Sequence, residues 1–171
     1  MTQLPKRTGR KAPERMAAPL ILLLVAVVAV SLLTVSPTGA QGRAVGFFLT
    51  DLDGRHFRFD PNRTGTVLLI FGTTWCPSCR AEIPRFKEIH HRYAGRGLEV
   101  VYIDIMESRD KVRRFAERHR LPYRTLLDET GRVAESYGVR GVPAMILIRD
   151  GAVVTRRYEA VEAHLGRLFG P

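Results

Sequence analysis

The sequence predicts an α/β fold in which a mixed central β-sheet is flanked by helices. Three observations lead to this prediction. Continuous apolar runs at Thr66–Gly72 and Leu98–Asp104 have the length and composition of strands that are buried on both faces. Segments with helical periodicity follow these runs, which is the alternation expected of an α/β protein. A tight hairpin signal at Asp150-Gly151 and a final helix then add antiparallel strands to the sheet.

The other elements follow from local patterns. Gly54 supports a turn between the first two strands, because glycine adopts positive φ without steric cost. Pro84 lies inside the first helix, where it removes one backbone hydrogen bond and should kink the axis. Ser108 is a suitable N-cap for the second helix. The predicted strands are Val45–Thr50, Arg55–Phe59, Thr66–Gly72, Leu98–Asp104, Tyr123–Leu127, Val142–Arg149 and Ala152–Tyr158. The predicted helices are Pro77–Ala94, Ser108–His119, Glu129–Tyr137 and Glu162–Phe169.

The first 40 residues differ in character from the rest. Met16–Val35 contains no charge and is almost entirely apolar, and a basic flank precedes it. About 20 apolar residues are needed to cross a bilayer, whereas a cleavable signal has a shorter apolar core. We therefore expect residues 1–40 to be a cytoplasmic basic tail with a single-pass transmembrane signal-anchor in the inner or plasma membrane. The alternative is a signal peptide that is cleaved near Ala40. Either way, residues 41–171 form one domain in the periplasm or an equivalent extracytoplasmic space.

The charge balance does not indicate nucleic-acid binding. The formal net charge is +10, which can attract anionic partners. The densest group of arginines, however, surrounds Val112 and Phe115 at helical spacing, as on the solvated face of an amphipathic helix. Export also argues against nucleic acid. We expect no nucleic-acid partner, no metal and no cofactor beyond the thiols. The arginines of this group are Arg113, Arg114, Arg118 and Arg120.

The two cysteines carry the chemistry. Cys76 follows a buried strand and starts a helix, where free N–H groups and the helix dipole favour an anion. Its thiolate should therefore be stabilised and exposed, which makes it the nucleophile of disulfide exchange. Cys79 lies one turn later and is screened by the helix, so that it can resolve the mixed disulfide. The pair predicts a reversible Cys76–Cys79 redox disulfide.

Other uses of the two thiols are less well supported. A structural disulfide across so short a loop removes little chain entropy. A zinc site would need partners, and the adjacent His90 and His91 do not have ligand spacing. Two inert buried thiols are unusual outside the cytoplasm, where thiols tend to oxidise.

Two neighbours of the cysteines are candidate site residues. Glu82 lies three residues after Cys79, and side chains tilt toward the helix N-terminus, so its carboxyl should point at the cysteines. There it could accept or deliver the Cys79 proton; the alternative is an exposed acid that complements the helix dipole. Trp75 should cover the site as a lid and contact surface, or else pack in the core.

The segment Trp75-Cys76-Pro77-Ser78-Cys79-Arg80-Ala81-Glu82-Ile83-Pro84 resembles the thioredoxin-like thiol–disulfide oxidoreductases of the TlpA/ResA/CcmG (DsbE) type. The likeness continues at Tyr137-Gly138-Val139-Arg140-Gly141-Val142-Pro143 and spans about Val45 to Phe169. It implies a thioredoxin-like fold with an N-terminal β-hairpin extension. It also implies that Cys76 attacks, Cys79 resolves and Glu82 is a buried acid. The Val142–Pro143 bond would be cis, and the substrate groove would comprise Trp75, Pro77, Ser78, Val142 and Pro143.

The resemblance further implies a reductant of disulfides in exported proteins, with apocytochrome c as one substrate in cytochrome c maturation. Its electrons would come from a membrane thiol conduit of the CcdA or DsbD type. Three alternatives stay open: a dithiol oxidant or isomerase, a copper chaperone of the same fold, and an interaction protein that has kept a redox motif. The sequence departs from relatives at Ala144 and at Ile70, where thioredoxin itself has a buried Asp. The second departure leaves Glu82 as the expected acid.

Overall fold

The computed structural model describes residues 42–62 and 64–170, which belong to one compact unit. The expected tail and anchor in residues 1–40 lie outside the described residues. Among the residues that are described, no helix combines the length and the apolar character that a membrane crossing needs.

The structure has a seven-stranded sheet in the order β2-β1-β5-β4-β3-β6-β7. Strands β3, β4 and β5 are parallel, whereas β1, β2, β6 and β7 pair in antiparallel fashion. The strands are β1 (Phe47–Asp51), β2 (His56–Phe59), β3 (Thr66–Gly72), β4 (Leu98–Ile105), β5 (Arg124–Asp128), β6 (Ala144–Arg149) and β7 (Ala152–Thr155). The helices are α1 (Pro77–Tyr93), α2 (Arg109–His119), α3 (Arg132–Ser136) and α4 (Val161–Phe169), with short 3-10 turns at Ala94–Arg96 and Tyr158–Ala160. The predicted mixed sheet with flanking helices is confirmed.

The central strands place apolar side chains on both faces of the sheet, as their sequences predict. All seven residues of β3 are buried. Successive side chains of a strand alternate between faces, and in β4 Val101 and Ile103 join one core cluster while Val100 and Tyr102 join the other. The second cluster includes the α1 residues Phe86, Ile89 and Tyr93. Helix α1 therefore packs on the Tyr102 face of the sheet.

Some predicted boundaries are wrong, and each has a local cause. The predicted helix Glu129–Tyr137 shrinks to α3 because Gly131 has positive φ (72°) and holds a turn before the helix. The side chain of Asp128 accepts a hydrogen bond from the Ala134 N–H at 2.8 Å, which fixes the start of the helix. The strand predicted to start at Val142 starts at Ala144 instead. Pro143 precedes it and has no backbone N–H for a hydrogen bond to the neighbouring strand. Ser108 occupies the N-cap of α2, but its side chain makes no capping hydrogen bond.

Candidate active site

The two cysteines lie where β3 leads into α1. Cys76 is the N-cap of the helix, and its sulfur accepts a hydrogen bond from the Cys79 N–H at 3.1 Å. Pro77 occupies the first helical turn, where its missing N–H costs nothing. The buried side of the helix carries Cys79 together with Ile83 and Phe86, as its periodicity predicts. The fold thus holds one sulfur at the helix terminus and the other against the sheet.

Cys76 is covered rather than exposed, which corrects the sequence-based expectation. Only 4% of its surface is accessible. The Ser78 hydroxyl lies 3.1 Å from its sulfur, and the carbonyl oxygen of Val142 lies 3.7 Å away. Because Val142 belongs to a distant part of the chain, local sequence does not reveal this cover. Trp75, by contrast, is 62% exposed and does not pack in the core.

The two thiols differ sharply in acidity. Burial raises the pKa of Cys76, but hydrogen bonds from Cys79 and Ser78 outweigh burial, so that the net pKa lies below its ordinary value. Burial also raises the pKa of Cys79, and here the adjacent Cys76 adds to the effect and brings it to about 12. Cys76 is therefore equipped to be the thiolate, while Cys79 holds its proton.

The loop before β6 borders the cysteines. The Val142–Pro143 bond is cis, as the resemblance implied. Val142, Pro143 and Ala144 are partly accessible, and an open groove of roughly 550 Å³ adjoins the loop. Thr73, Met106 and Val139 are among the residues that line it. Pro77 and Ser78 are exposed. Of the predicted groove residues, Val142 lines this groove, whereas Trp75, Pro77, Ser78 and Pro143 do not, so the substrate groove stays a prediction.

Glu82 is placed differently from its prediction. Its side chain is 34% exposed, so it is not a buried acid. Its carboxylate accepts a hydrogen bond from the Tyr158 hydroxyl at 2.6 Å and lies 3.6 Å from a guanidinium nitrogen of Arg85. These polar partners hold the carboxyl in a solvated ion-pair cluster rather than in the apolar pocket that was expected. Whether Glu82 moves the Cys79 proton stays a prediction.

Two acids near the cysteines were missed. Glu107 accepts hydrogen bonds from the backbone and the hydroxyl of Thr74, the latter at 2.8 Å, and pairs with Lys111. Asp104 is only 1% exposed and lies near the carboxyl end of β4, on the α1 face. The end of a parallel strand is where α/β proteins commonly place their sites, and that rule was the signal that could have found it. The local sequence around the cysteines points to Glu82 alone.

Comparison with known proteins identifies the family. The AhpC/TSA family model matches residues 40–158. The thiol–disulfide oxidoreductase ResA of Geobacillus thermodenitrificans is 32% identical over 157 residues, which cover 85% of this chain and 90% of ResA. The chain belongs to the AhpC/TSA family of thioredoxin-like proteins. Within this family, it is a thiol–disulfide oxidoreductase of the ResA/DsbE type, which confirms the resemblance seen in the sequence.

Solved structures agree with the fold of this family member. The thioredoxin domain of a thiol–disulfide oxidoreductase from Bacteroides vulgatus superposes with a TM-score of 0.67 at 20% identity, covering 75% of this chain and 96% of that domain. A secreted Mycobacterium tuberculosis disulfide oxidoreductase, described as homologous to E. coli DsbE, gives a TM-score of 0.58 at 26% identity. That match covers 65% of this chain and 83% of the other. The thioredoxin-like fold class is thus confirmed.

Proposed function

We propose that this oxidoreductase reduces disulfide bonds of exported proteins by dithiol exchange at Cys76 and Cys79. The observation that carries the proposal is the placement of the two thiols: the Cys76 sulfur accepts the Cys79 N–H at the start of α1, whereas Cys79 is buried against the sheet. This placement lowers the pKa of Cys76 and raises that of Cys79 to about 12. The Cys76 thiolate attacks a substrate disulfide and forms a mixed disulfide. Cys79 then attacks the Cys76 sulfur, which closes the enzyme disulfide and releases the second substrate thiol.

The setting of this reaction is part of the proposal. The apolar segment Met16–Val35 tethers the enzyme, and the catalytic domain works in the periplasm or its equivalent. Substrates are exported proteins that contain disulfides, apocytochrome c among them, and the enzyme acts in cytochrome c maturation. A membrane thiol conduit of the CcdA or DsbD type returns electrons to the Cys76–Cys79 disulfide. The exposed Trp75 and the loop at Val142 and Pro143 offer the contact surface for the substrate strand.

The raised pKa of Cys79 does not set the direction of electron flow, because this thiol is protonated at neutral pH with or without the shift. The lowered pKa of Cys76 stabilises the reduced form, which is the property of an oxidant such as DsbA. An extracytoplasmic dithiol oxidant is therefore the second candidate. Among the described residues, no three His, Cys, Asp or Glu side chains are grouped to hold a metal.

The equilibrium reduction potential of Cys76 and Cys79 decides between the two candidates. We expect a value near or below that of thioredoxin, about −270 mV, measured against glutathione or dithiothreitol on the domain from residue 41. A value near that of DsbA, about −120 mV, would mean that the enzyme oxidises exported thiols instead. The Cys79→Ser variant, which cannot form the disulfide, serves as the blank.

A further inference from the structure

Asp104 is a buried carboxyl that receives no hydrogen bond from the part of the chain that the structure describes. It pairs with Gly72 across the parallel ladder of β3 and β4, four residues before Cys76. It continues the alternation that places Val100 and Tyr102 on the α1 face of the sheet. Neither carboxyl oxygen has a hydrogen-bond partner among the described residues. A buried polar group without a hydrogen bond destabilises the folded state. Its presence therefore suggests a role in function rather than in stability.

Tyr102 precedes Asp104 by two positions on β4 and therefore shares its face of the sheet. Gly72 has no side chain, and a Cβ placed there would collide with the hydroxyl oxygen of Tyr102. The hydroxyl therefore fills the space beside the last residue of β3, just before the active-site turn. It is buried and, like Asp104, it has no hydrogen-bond partner in the described part of the chain. The charges of Asp104, Cys79 and Cys76 all act on Tyr102.

The charges around Asp104 come from several elements. The negative charge of Glu107, which precedes α2, raises the pKa of Asp104, whereas the positive charge of Lys111 on α2 lowers it. From α1 the two cysteines act on the neighbouring Tyr102, and from the segment before β5 Tyr123 does the same. Burial first, and then Glu107, raise the pKa of Asp104 to about 8. The proximity of the Glu107 carboxyl thus favours the protonated form of Asp104.

We propose that Asp104 is the acid–base group that exchanges a proton with Cys79, and that the Tyr102 hydroxyl bridges the two. This inference rests on the proposed dithiol exchange. Once Cys76 is bound in the mixed disulfide, Cys79 gives its proton through Tyr102 to Asp104 and attacks the Cys76 sulfur. The Cys76–Cys79 bond forms, the bond to the substrate breaks, and the second substrate thiolate leaves with the electron pair. Asp104 then returns the proton to solvent or to the released thiolate.

The reverse half of the cycle uses the same groups. When a donor thiolate attacks the Cys76 sulfur, Cys79 leaves as a thiolate and takes the proton that Asp104 holds. A group that titrates near neutral pH serves both directions, since it is close to balance between acid and base. Because Tyr102 and Asp104 do not hydrogen-bond each other in this structure, the transfer runs through a water molecule or a small movement on formation of the mixed disulfide.

The test separates the attack of Cys76 from the attack of Cys79. The reduced enzyme is mixed with excess 5,5′-dithiobis(2-nitrobenzoate), and the coloured thiolate is followed by stopped flow. Its first equivalent reports Cys76, and its second reports Cys79. The nitrothiobenzoate that leaves in the second phase departs as a thiolate and needs no proton. The pH dependence of this phase therefore reports the deprotonation of Cys79. In the wild type we expect the rate of the second phase to rise with pH through an inflection near pH 8.

The variants are Asp104→Asn and Tyr102→Phe, with Asp128→Asn as the matched control. Asp128 is equally buried, at 1% exposure, and ends the neighbouring strand, but it lies outside the proposed path. Loss of a general base costs roughly 10²-fold or more. We expect Asp104→Asn to slow the second phase at least tenfold and to abolish the inflection. Tyr102→Phe should slow it as well, while the first phase stays unchanged in both variants. Asp128→Asn should keep both phases.

The outcomes distinguish this inference from the proposed function. If the wild type released only one equivalent, dithiol exchange itself would be wrong. If it released both, and Asp104→Asn kept the wild-type second phase and inflection, only the role of Asp104 would be overturned. A slow second phase in Asp104→Asn with a normal one in Tyr102→Phe would overturn the bridge. Equal slowing in Asp128→Asn would show a general effect of removing a buried carboxylate.

Discussion

Cys76 and Cys79 lie one helical turn apart, yet the fold surrounds them with opposite environments. Cys76 receives hydrogen bonds from the helix N-terminus and from Ser78, and its pKa is lowered despite burial. Cys79 faces the sheet, where burial and the neighbouring sulfur raise its pKa to about 12. The difference shows that helix position alone does not set thiol acidity. What decides it is whether polar hydrogens or apolar side chains meet the sulfur.

The largest test of this contrast replaces each cysteine in turn. Cys76→Ser should abolish disulfide reduction, by at least roughly a thousandfold, because the remaining thiol, Cys79, is buried and protonated. Cys79→Ser should still attack the substrate but should accumulate as the mixed disulfide, since nothing resolves it. Mass spectrometry after mixing with a disulfide-bonded peptide distinguishes the two variants. If Cys79→Ser stayed unmodified while Cys76→Ser formed the adduct, the assigned roles would be reversed.

Asp104 and Asp128 offer a second contrast, between two equally buried carboxyls. Asp128 accepts the Ala134 N–H and fixes the start of α3, whereas Asp104 has no donor among the described residues. Because the pKa of Asp104 is raised from 3.8 to about 8, the native state keeps a proton that the unfolded state loses over this range. The unfolded state thus binds fewer protons, and stability falls as pH rises from about 4 to about 8.

We therefore expect Asp104→Asn to change the pH dependence of stability. Between pH 5 and 8, the free energy of unfolding of the wild type should fall relative to that of the variant by on the order of 3 kcal/mol. Urea denaturation at several pH values measures this difference, and titrating groups that do not interact with Asp104 cancel because both proteins share them. Asp128→Asn should instead lower stability by about 1–2 kcal/mol, because the Ala134 N–H keeps only a neutral acceptor. Parallel pH curves for wild type and Asp104→Asn would contradict the raised pKa.

These contrasts also mark what the sequence could predict. The strand Thr66–Gly72 was predicted with the correct ends, because a continuous apolar run bounded by glycine depends on few other parts of the chain. The helix that starts at Pro77 and the hairpin at Asp150-Gly151 follow likewise from local signals. The sequence also identified the cysteine pair, since the spacing of two thiols at a helix start is itself local.

What could not be predicted depends on contacts between distant segments. The cover over Cys76 comes from Val142, which is 66 positions away. Glu82 was expected to be buried, but Tyr158 and Arg85 hold it in a partly solvated cluster. Asp104 was included at the end of a predicted strand, yet its burial depends on how α1 packs over the sheet. Periodicity assigns a residue to a face, whereas solvation is decided by what covers that face.

The smallest expected effect concerns the hydroxyl that contacts Cys76. Ser78→Ala removes one hydrogen bond to the sulfur and leaves that from the Cys79 N–H, so the pKa of Cys76 should rise. One such bond is worth about 1 kcal/mol, which corresponds to a roughly fivefold slower alkylation by iodoacetamide below the thiol pKa. Ser108→Ala is the matched control, because its side chain caps nothing at the start of α2. An unchanged rate in Ser78→Ala would assign the whole stabilisation of the thiolate to the helix N-terminus.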